Sequence, residues 1–470
     1  MRGNIKEEKK QMLLTADIKP LVMRMAVPTI MAQLITTIYN LVDTYFVSTL
    51  GTNATAAVGV NSSLERMITL IGSLIGAGAC SYIARLLGAK DDEHANTVLS
   101  TSFFSGLGLG IVFMVIGKMI IGDLVYWMGA TDECALFSMQ YANYVLYAAP
   151  FMIGSFILNM CLRSEGSAMY SMIGIGFGGI LNCFLDPLFI YGLDLGVAGA
   201  SMATAISKFI SFCILCAPYI RKSSVCVISI RKFKLVLKDI TEVLTIGSSS
   251  FFRSVLTVAA SIAINRVAGG YSTAALAALS VANRVMEFPF AFILGFGQGY
   301  QPIAGFNWGA KAWKRVRESY VFGCMVSFVG AIVMGGIIFA FATPIIKIFN
   351  SQADADVLAL GLFCVRLQCF GLIVHAMSSL INMFYAGIGI AKFSLLANFA
   401  RQGYMFYPAL YVAPKLWGIY GVAATQAIAD LLSAIVIIPL GIYALKVISR
   451  AEKADTDEKK QEQISAQTAH

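Results

Sequence analysis

The chain has 470 residues, of which 58% are hydrophobic and only 13% are charged. Soluble globular domains typically carry roughly 25% charged residues, so this composition excludes a soluble domain and indicates an integral membrane protein. The net charge of +9 comes from basic residues in the polar connections between apolar runs, which argues against a nucleic-acid partner.

Twelve apolar runs follow one another along the chain, and each is long enough to cross a hydrocarbon layer of about 30 Å as a helix. The predicted fold class is therefore all-α, with twelve transmembrane helices. The predicted spans are 21–45, 55–82, 98–120, 136–161, 172–190, 198–219, 241–266, 276–303, 318–346, 356–386, 394–412 and 419–445. The first run lacks a small-residue cleavage site, so we expect it to be retained as a helix.

Lysine and arginine are distributed unevenly over the connections between the spans. One alternating set of connections, which includes both termini, carries 24 of these residues, whereas the other set carries only Lys347 and Lys415. Because cytoplasmic connections are enriched in basic residues, both termini of this multi-pass protein are predicted to lie on the cytoplasmic side of the cell membrane.

The chain is predicted to contain two six-helix lobes. The basic stretch 221–240 lies at the midpoint, and we interpret it as a cytoplasmic linker between a lobe at 21–220 and a lobe at 241–446. Residues 1–20 are expected to form a cytoplasmic N-terminal segment. The charged tail 447–470 lacks large apolar residues and is predicted to be disordered.

An internal repeat supports the two lobes. The stretch "LGAKDDEHA" recurs as "WGAKAWKRV" at an offset of 221 residues, and "GVAGASMATAIS" recurs as "GIYGVAATQAIA" at an offset of 222. Because six spans separate equivalent positions, the lobes are expected to have parallel topology. Such repeats are common in secondary transporters, whose substrate sites lie between the halves.

Polar residues inside the first six spans suggest a cation site. Ionisable residues are costly at the bilayer centre, so they are functional candidates by default. Asn182 and Asp186 are four residues apart on span five and share one helix face, as do Tyr39 and Asp43 on span one. Two carboxylates in one poorly hydrated cavity require a proton or a bound cation. The alternative interpretation is that Asp186 caps backbone groups near the interface. Further polar candidates in this lobe are Asn40, Tyr141, Asn159 and Thr204.

The last six spans carry a different set of polar residues. Arginines replace the acids there, and spans seven and eight contain no Asp. The run "GQGYQPIAGFNWGAK" supplies Gln298, Gln301 and Asn307, which either line the transport pathway or satisfy the backbone at a broken helix end. Ten scattered cysteines and three histidines provide neither a disulfide framework nor a metal site.

Residues 18–446 resemble the MATE (multidrug and toxic compound extrusion) family of secondary transporters. The resemblance is carried by "AVPTIMAQLITTIYNLVDTYFVSTLG", by "RSEGSAM" followed by "LNCFLDPLFIYGLDLGVAGASMATAIS", and by "GYQPIAGFNWGAK". It implies a V-shaped twelve-helix bundle that exports organic, often cationic, compounds in exchange for H⁺ or Na⁺. It also implies small-molecule organic substrates, contact with membrane lipid, a monomer, and no cofactor beyond the coupling ion.

The resemblance places a cation site in the N-terminal lobe. The residues that match the family pattern are Asp43, Asn159, Asn182, Asp186 and Thr204, and Tyr141 matches a polar residue of the same cavity.

One departure from the family pattern concerns span seven. Some members carry an acid early in that span, where this chain has Arg253, so coupling is expected to rest on Asp43 and Asp186. In this respect the chain is similar to the DNA-damage-inducible and Mep-type branch.

Two other functions are compatible with a polytopic helical protein. A lipid-linked oligosaccharide flippase of the same superfamily would be expected to have extra helices and a strongly basic cavity. An intramembrane enzyme would need a nucleophile–base pair or metal ligands in the bilayer, and His375 is the one candidate base. The sequence therefore favours a cation-coupled exporter over both the flippase and an enzyme.

Overall fold

The computed structural model describes residues 2–349 and 355–468, which are almost entirely helical. The helices of the first half are α1 (Arg2–Thr15), α2 (Ile18–Ser48), α3 (Thr52–Gly88), α4 (Asp92–Met119), α5 (Ile121–Trp127), α6 (Asp132–Ser164), α7 (Ala168–Pro187) and α8 (Gly196–Ile220). Those of the second half are α9 (Leu237–Gly269), α10 (Thr273–Gly309), α11 (Trp313–Phe349), α12 (Ala355–Gly387), α13 (Ala391–Phe399) and α14 (Phe406–Thr468).

Eleven helices in the described ranges are long and apolar enough to cross a membrane. The last of them, Ala391–Ser465, contains two of the predicted spans, 394–412 and 419–445. Gly418, with φ 57° and ψ −132°, interrupts the helical backbone between these two spans. Helices are the expected solution, since hydrocarbon offers no partners for free backbone N–H and C=O groups. The prediction of an all-α multi-span membrane protein is confirmed.

Two spans contain a π-helical turn. Leu188–Gly192 continues α7 directly after Pro187, and Ala400–Tyr404 joins α13 to α14. Pro187 has no backbone N–H, so the regular hydrogen-bond ladder of α7 changes where the apolar run ends. By contrast, α10 continues as one α-helix through Pro289 and Pro302 to Gly309. A broken helix near Pro302, one of the two interpretations of that run, is not found.

The chain divides into two compact units. The first comprises residues 2–13 with Arg24–Leu87 and Asp91–Phe251, and the second comprises Leu14–Met23, Gly88–Lys90 and the described residues from Phe252 onward. The boundary falls inside α9, whereas the sequence placed it in the linker 221–240.

Close packing of α3 against α9 explains this boundary. A Cβ atom at Gly78 would overlap the carbonyl oxygen of Val243, and one at Gly247 would overlap that of Leu74. Small residues at such crossings let two helix backbones approach in a membrane. The first half of α9 therefore belongs to the first unit.

The linker packs along the first unit rather than hanging free. Its Val225 N–H donates to Glu165 Oε2 at 2.8 Å, and its Val227 N–H donates to Asn96 Oδ1 at 2.6 Å. Glu165 also accepts from the Tyr219 hydroxyl at 3.1 Å and is fully buried in the short turn between α6 and α7. This turn is the "RSEGSAM" stretch, so one motif that carried the family resemblance has a structural role in fixing the linker.

The prediction of a disordered tail was wrong. After the interruption at Gly418, α14 continues as a helix to Thr468. Helix nucleation is the costly step and extension is not, so a tail that follows an existing helix can remain helical despite its charged composition. Asp455 holds the extension in place, since it pairs with Lys311 at 2.8 Å and with Lys459 at 2.9 Å and accepts from the indole of Trp313 at 3.2 Å.

We expect Asp455→Asn to loosen the tail helix without disturbing the transmembrane spans. The substitution removes both ion pairs of a side chain that is only 6% exposed. Amide hydrogen exchange of residues 451–468 should accelerate by several fold, because the last turns would lose their tertiary support.

Asp457→Asn is the matched control, since Asp457 is exposed on the same helix. Equal exchange rates in the two variants would show that Asp455 does not anchor the tail.

Candidate functional site

The centre of the site is an amide–carboxylate pair on α7. Asn182 Nδ2 donates to Asp186 Oδ1 at 3.0 Å and lies 3.4 Å from Thr204 Oγ1 on α8. Asn182 is 3% exposed and Asp186 is fully buried. The spacing of four residues therefore produces the stacked arrangement that the sequence indicated, and it includes Thr204.

Asp43 of α2 completes a pair of facing carboxyl groups. Its side chain is close enough to that of Asp186 for the two carboxyl groups to interact. Among the described residues, Asp43 Oδ1 and Asp186 Oδ2 are buried without a donor. Two carboxylate oxygens cannot satisfy each other, so this contact is stable only with a proton or a cation between them.

Asn159 of α6 adds two more unsatisfied groups to the first unit. Its side chain is 2% exposed, and neither its Oδ1 nor its Nδ2 has a hydrogen-bond partner in the described part of the chain. Buried polar groups are nearly always paired in folded proteins, so an unpaired amide calls for a ligand or a water molecule. Asn159 therefore remains a candidate for the cation-coupling set.

Glycines on α7 bring the neighbouring helices close enough to form the site. A Cβ atom at Gly179 would lie 2.7 Å from Tyr39 Cδ1 on α2, and one at Gly178 would lie 2.9 Å from Ser211 Cβ on α8. The missing side chains leave room for both neighbours at the level of the site. As a result, α7 carries its carboxylate between α2 and α8.

Two ionisable residues that sequence reasoning missed belong to the same network. Lys208 Nζ of α8 donates to the Tyr39 hydroxyl at 2.7 Å, and the Tyr141 hydroxyl donates to Glu65 Oε1 of α3 at 3.3 Å. Lys208 is also close enough to act electrostatically on both Asp43 and Glu65. A charge inside an apolar span is the signal that could have identified Glu65 and Lys208.

The network holds three carboxyl groups and a single ammonium group. Asp43, Glu65 and Asp186 carry up to three negative charges, and Lys208 offsets one of them. The described residues contain no cluster of three or more His, Cys, Asp or Glu side chains arranged for a metal ion. A bound cation would therefore combine carboxylate oxygens with amide and hydroxyl oxygens, which are hard ligands suited to a hard cation.

The remaining predicted cavity residues lie in several environments. Asn40 is exposed on α2, whereas Tyr39 is half-buried and Tyr141 is buried. Gln298 and Gln301 are buried in α10, in the second unit.

Asn307, also in α10, has a structural environment. Its Nδ2 donates to the Ile303 carbonyl at 2.9 Å, and its Oδ1 accepts from Arg315 Nε at 2.9 Å. Asn307 thus fits the interpretation of a helix end that satisfies its own groups.

Comparison with known proteins identifies related sequences over most of the chain. The family model described as MatE matches twice, over residues 28–188 and 250–412. The two matches begin 222 residues apart, which confirms the internal repeat.

Related sequences include bacterial multidrug export proteins. The multidrug export protein MepA of Staphylococcus saprophyticus subsp. saprophyticus is 28% identical over 436 residues, covering 92% of this chain and 95% of that protein. MepA of Staphylococcus aureus strain MSSA476 is 27% identical over 427 residues, covering 90% and 93%.

Solved structures of MATE transporters match the fold of this chain as well. A multidrug resistance MATE family transporter of the MOP superfamily, solved in an outward-facing conformation, superposes with a TM-score of 0.87 at 26% sequence identity. The match covers 93% of this chain and 98% of that one.

We expect Lys208→Met to strengthen cation binding at the carboxylate network. Removing the ammonium leaves three acids without their internal counter-ion, and a unit charge at a few ångströms contributes on the order of 1–4 kcal/mol at intermediate dielectric. The increase of melting temperature with Na⁺, with choline as the ionic-strength control, should reach half its maximum at a several-fold lower concentration than in the wild type. The same shift should be sought for H⁺ in a Na⁺-free pH titration.

Lys118→Met is the matched control, because Lys118 lies in the same unit but bonds to Asn143. If Lys208→Met left both titrations where they are in the wild type, Lys208 would not be a counter-ion of this site.

Proposed function

This chain belongs to the MatE family, and on that premise we propose that it is a multidrug efflux transporter driven by exchange for H⁺ or Na⁺. The substrates are organic, predominantly cationic, small molecules, and the protein is not an enzyme. It acts as a multi-pass protein of the cell membrane with both termini in the cytoplasm, in contact with membrane lipid, and as a monomer.

The single observation that carries the coupling role is the pair Asp43 and Asp186. Their facing oxygens have no donors among the described residues, although both are buried. An unpaired charge in this environment costs several kcal/mol, so the site has a strong affinity for a neutralising cation. Binding of that cation changes the interaction between α2 and α7, which is the kind of local event that drives a rearrangement of helices.

Alternating access follows from the same chemistry. In the outward-facing state, H⁺ or Na⁺ enters the site and neutralises Asp43 and Asp186, which lowers the affinity for a cationic drug and favours its release. In the inward-facing state the cation leaves, and the recovered negative charge favours uptake of drug from the cytoplasm or inner leaflet. The π-helical turn after Pro187 gives α7 a place to adjust, since such turns are less regular than α-helix.

Both coupling ions are compatible with the donor set. One shared proton would satisfy two facing carboxyl groups, as in other carboxyl pairs. Na⁺ would instead use the carboxylates together with Thr204 Oγ1 and, after a flip of the side-chain amide whose Nδ2 now points at Asp186, with Asn182 Oδ1. The two ions are distinguished by separate gradients in the experiment below.

Aromatic and acidic residues of the same unit suit a cationic substrate. Tyr39 and Tyr141 present ring faces that attract cations, and Glu65 provides a negative charge next to Tyr141. Substrate and coupling cation would then compete for one set of negative charges, which is the requirement for antiport through a single site.

We expect Asp43→Asn and Asp186→Asn each to reduce gradient-driven transport by tenfold or more, because a neutral amide cannot exchange a proton or pair with Na⁺. The measurement is ethidium uptake into DNA-loaded proteoliposomes with an outwardly directed H⁺ gradient or, separately, an outwardly directed Na⁺ gradient. The wild type should respond to at least one gradient.

Asp194→Asn serves as the matched control, since Asp194 is exposed in the turn between α7 and α8. Full gradient-driven uptake by both site variants would refute the coupling assignment. Failure of the wild type to move ethidium or any other cationic dye under either gradient would refute export of organic cations.

A further inference from the structure

The membrane-spanning helices of the second unit contain a buried ion pair that the proposed coupling does not use. Arg401 Nε contacts Asp430 Oδ1 at 2.6 Å, and its second nitrogen lies 3.3 Å from Asp430 Oδ2. Gln426 Nε2 donates to Asp430 Oδ1 at 2.9 Å. This bidentate geometry holds the guanidinium group of Arg401 in place and neutralises the carboxylate of Asp430.

Arg253 adds a second positive charge without a carboxylate to balance it. It is the middle residue of α9, Leu237–Gly269, so it lies deep in the apolar part of the span. In the ranges that the structure describes, its guanidinium group has neither a hydrogen bond nor an ion pair, and its side chain is only partly buried. A charge at this depth is costly, and an unpaired one is rarely retained without a partner from outside the chain.

His375 of α12 lies beside these arginines and is also unsatisfied. Its Nδ1 is buried without a hydrogen-bond partner among the described residues. Arg253 lies at the same level, because the ring of its neighbour Phe252 packs against Phe399, two residues before Arg401, with centroids 5.8 Å apart. Both arginines are close enough to act electrostatically on the ring of His375. Phe290 meets the histidine edge to face with ring centroids 4.7 Å apart, and it lies 5.7 Å below the Arg401 guanidinium carbon.

The backbone that carries Arg401 is irregular at this point. Ala400–Tyr404 is a π-helical turn, and within it Gln402 Oε1 is buried without a partner in the described residues. Single π-helical turns are rare and occur frequently at functional sites. The irregular backbone is a separate observation from the unpaired charges, and it lies at the same level of the second unit because it contains Arg401.

We propose that Arg253 and His375 form a binding site for the anionic group of an organic anion, with a carboxylate or phosphate oxygen as the recognised atoms. The Arg253 guanidinium provides a planar fork of donors that matches such a group. His375 donates from Nδ1 in the corresponding tautomer, and Phe290 packs against the apolar body of the ligand. Arg401, held by Asp430, adds positive potential without direct contact.

A cation would be repelled here, because Arg401 already neutralises Asp430 and the charge of Arg253 is not balanced by it. The site is therefore opposite in sign to the carboxylate network of the first unit, and it would accept the acidic group of an anionic or zwitterionic compound. The same oxygen chemistry is offered by a dissolved organic acid and by the headgroup of an anionic lipid, so the experiment has an arm for each.

Calorimetric titration of the full chain in nanodiscs of neutral phosphatidylcholine tests the site with 1-naphthoate and its uncharged analogue 1-naphthamide. Naphthoate should bind at least tenfold more tightly than naphthamide in the wild type, because charge-assisted hydrogen bonds are roughly twice as strong as neutral ones. Arg253→Met should abolish this preference while leaving naphthamide binding unchanged, and Arg253→Lys should retain part of it. Empty nanodiscs supply the background.

Arg266→Met is the matched control, since Arg266 is exposed on the same helix, and it should preserve the preference. Asp43→Asn should preserve it as well, which separates this site from the proposed coupling site. Equal affinities of the wild type for naphthoate and naphthamide, or a preference that survives Arg253→Met, would overturn the proposal.

Nanodiscs containing phosphatidylglycerol identify the source of the anion. Weaker naphthoate binding in these discs, for the wild type but not for Arg253→Met, would support the site with a lipid headgroup as its occupant. Unchanged binding would support the site with a dissolved organic anion as its ligand.

Discussion

The contact between Asp43 and Asp186 is the constraint on which the first unit depends. Two carboxyl groups from different helices meet where each has a buried oxygen without a donor. Such a contact is unfavourable by itself and becomes favourable once a small positive charge occupies it. The surrounding architecture, with glycines on α7 that admit Tyr39 and Ser211 as neighbours, buries one oxygen of each carboxyl group, where water screens charge weakly.

Sequence reasoning identified the carboxylate pair but only part of its surroundings. Asn182 and Asp186 could be predicted because spacing along a helix fixes which residues share a face, whereas Thr204, on the next span, was expected as a polar residue that matches the family pattern. Glu65 and Lys208 were missed because their partners Tyr141 and Tyr39 belong to other helices, so no pattern along either span marks them. Contacts of this kind depend on how the helices pack, which periodicity does not specify.

The errors at the chain's polar segments have a common origin. Composition predicted a disordered tail. Composition alone contains no information about the preceding helix, which is already nucleated, or about Lys311 and Trp313, which bind Asp455. Asn307 could not be assigned from sequence for a similar reason, since its partner Arg315 lies across a turn on the next helix. The number of spans, in contrast, followed directly from hydropathy, because hydrocarbon imposes helices of a minimum length.

The duplicated lobes preserve backbone positions while exchanging charge. At the offset of 222 residues, Lys208 of the first unit corresponds to Asp430 of the second, and Thr204 corresponds to Gln426. A lysine near two acids is thus replaced by an acid paired with an arginine, so equivalent positions of the two lobes carry opposite charges.

The long helix after Gly418 has a mechanical consequence. From residue 419 to residue 468 it extends about 75 Å at 1.5 Å per residue. Asp455 ties its C-terminal part to the turn between α10 and α11 of the same unit. Helix and unit must therefore rotate as one body. By simple geometry, a rotation of the unit of roughly 10° would sweep the far end through about 13 Å, so the tail acts as a lever arm that magnifies small transmembrane movements.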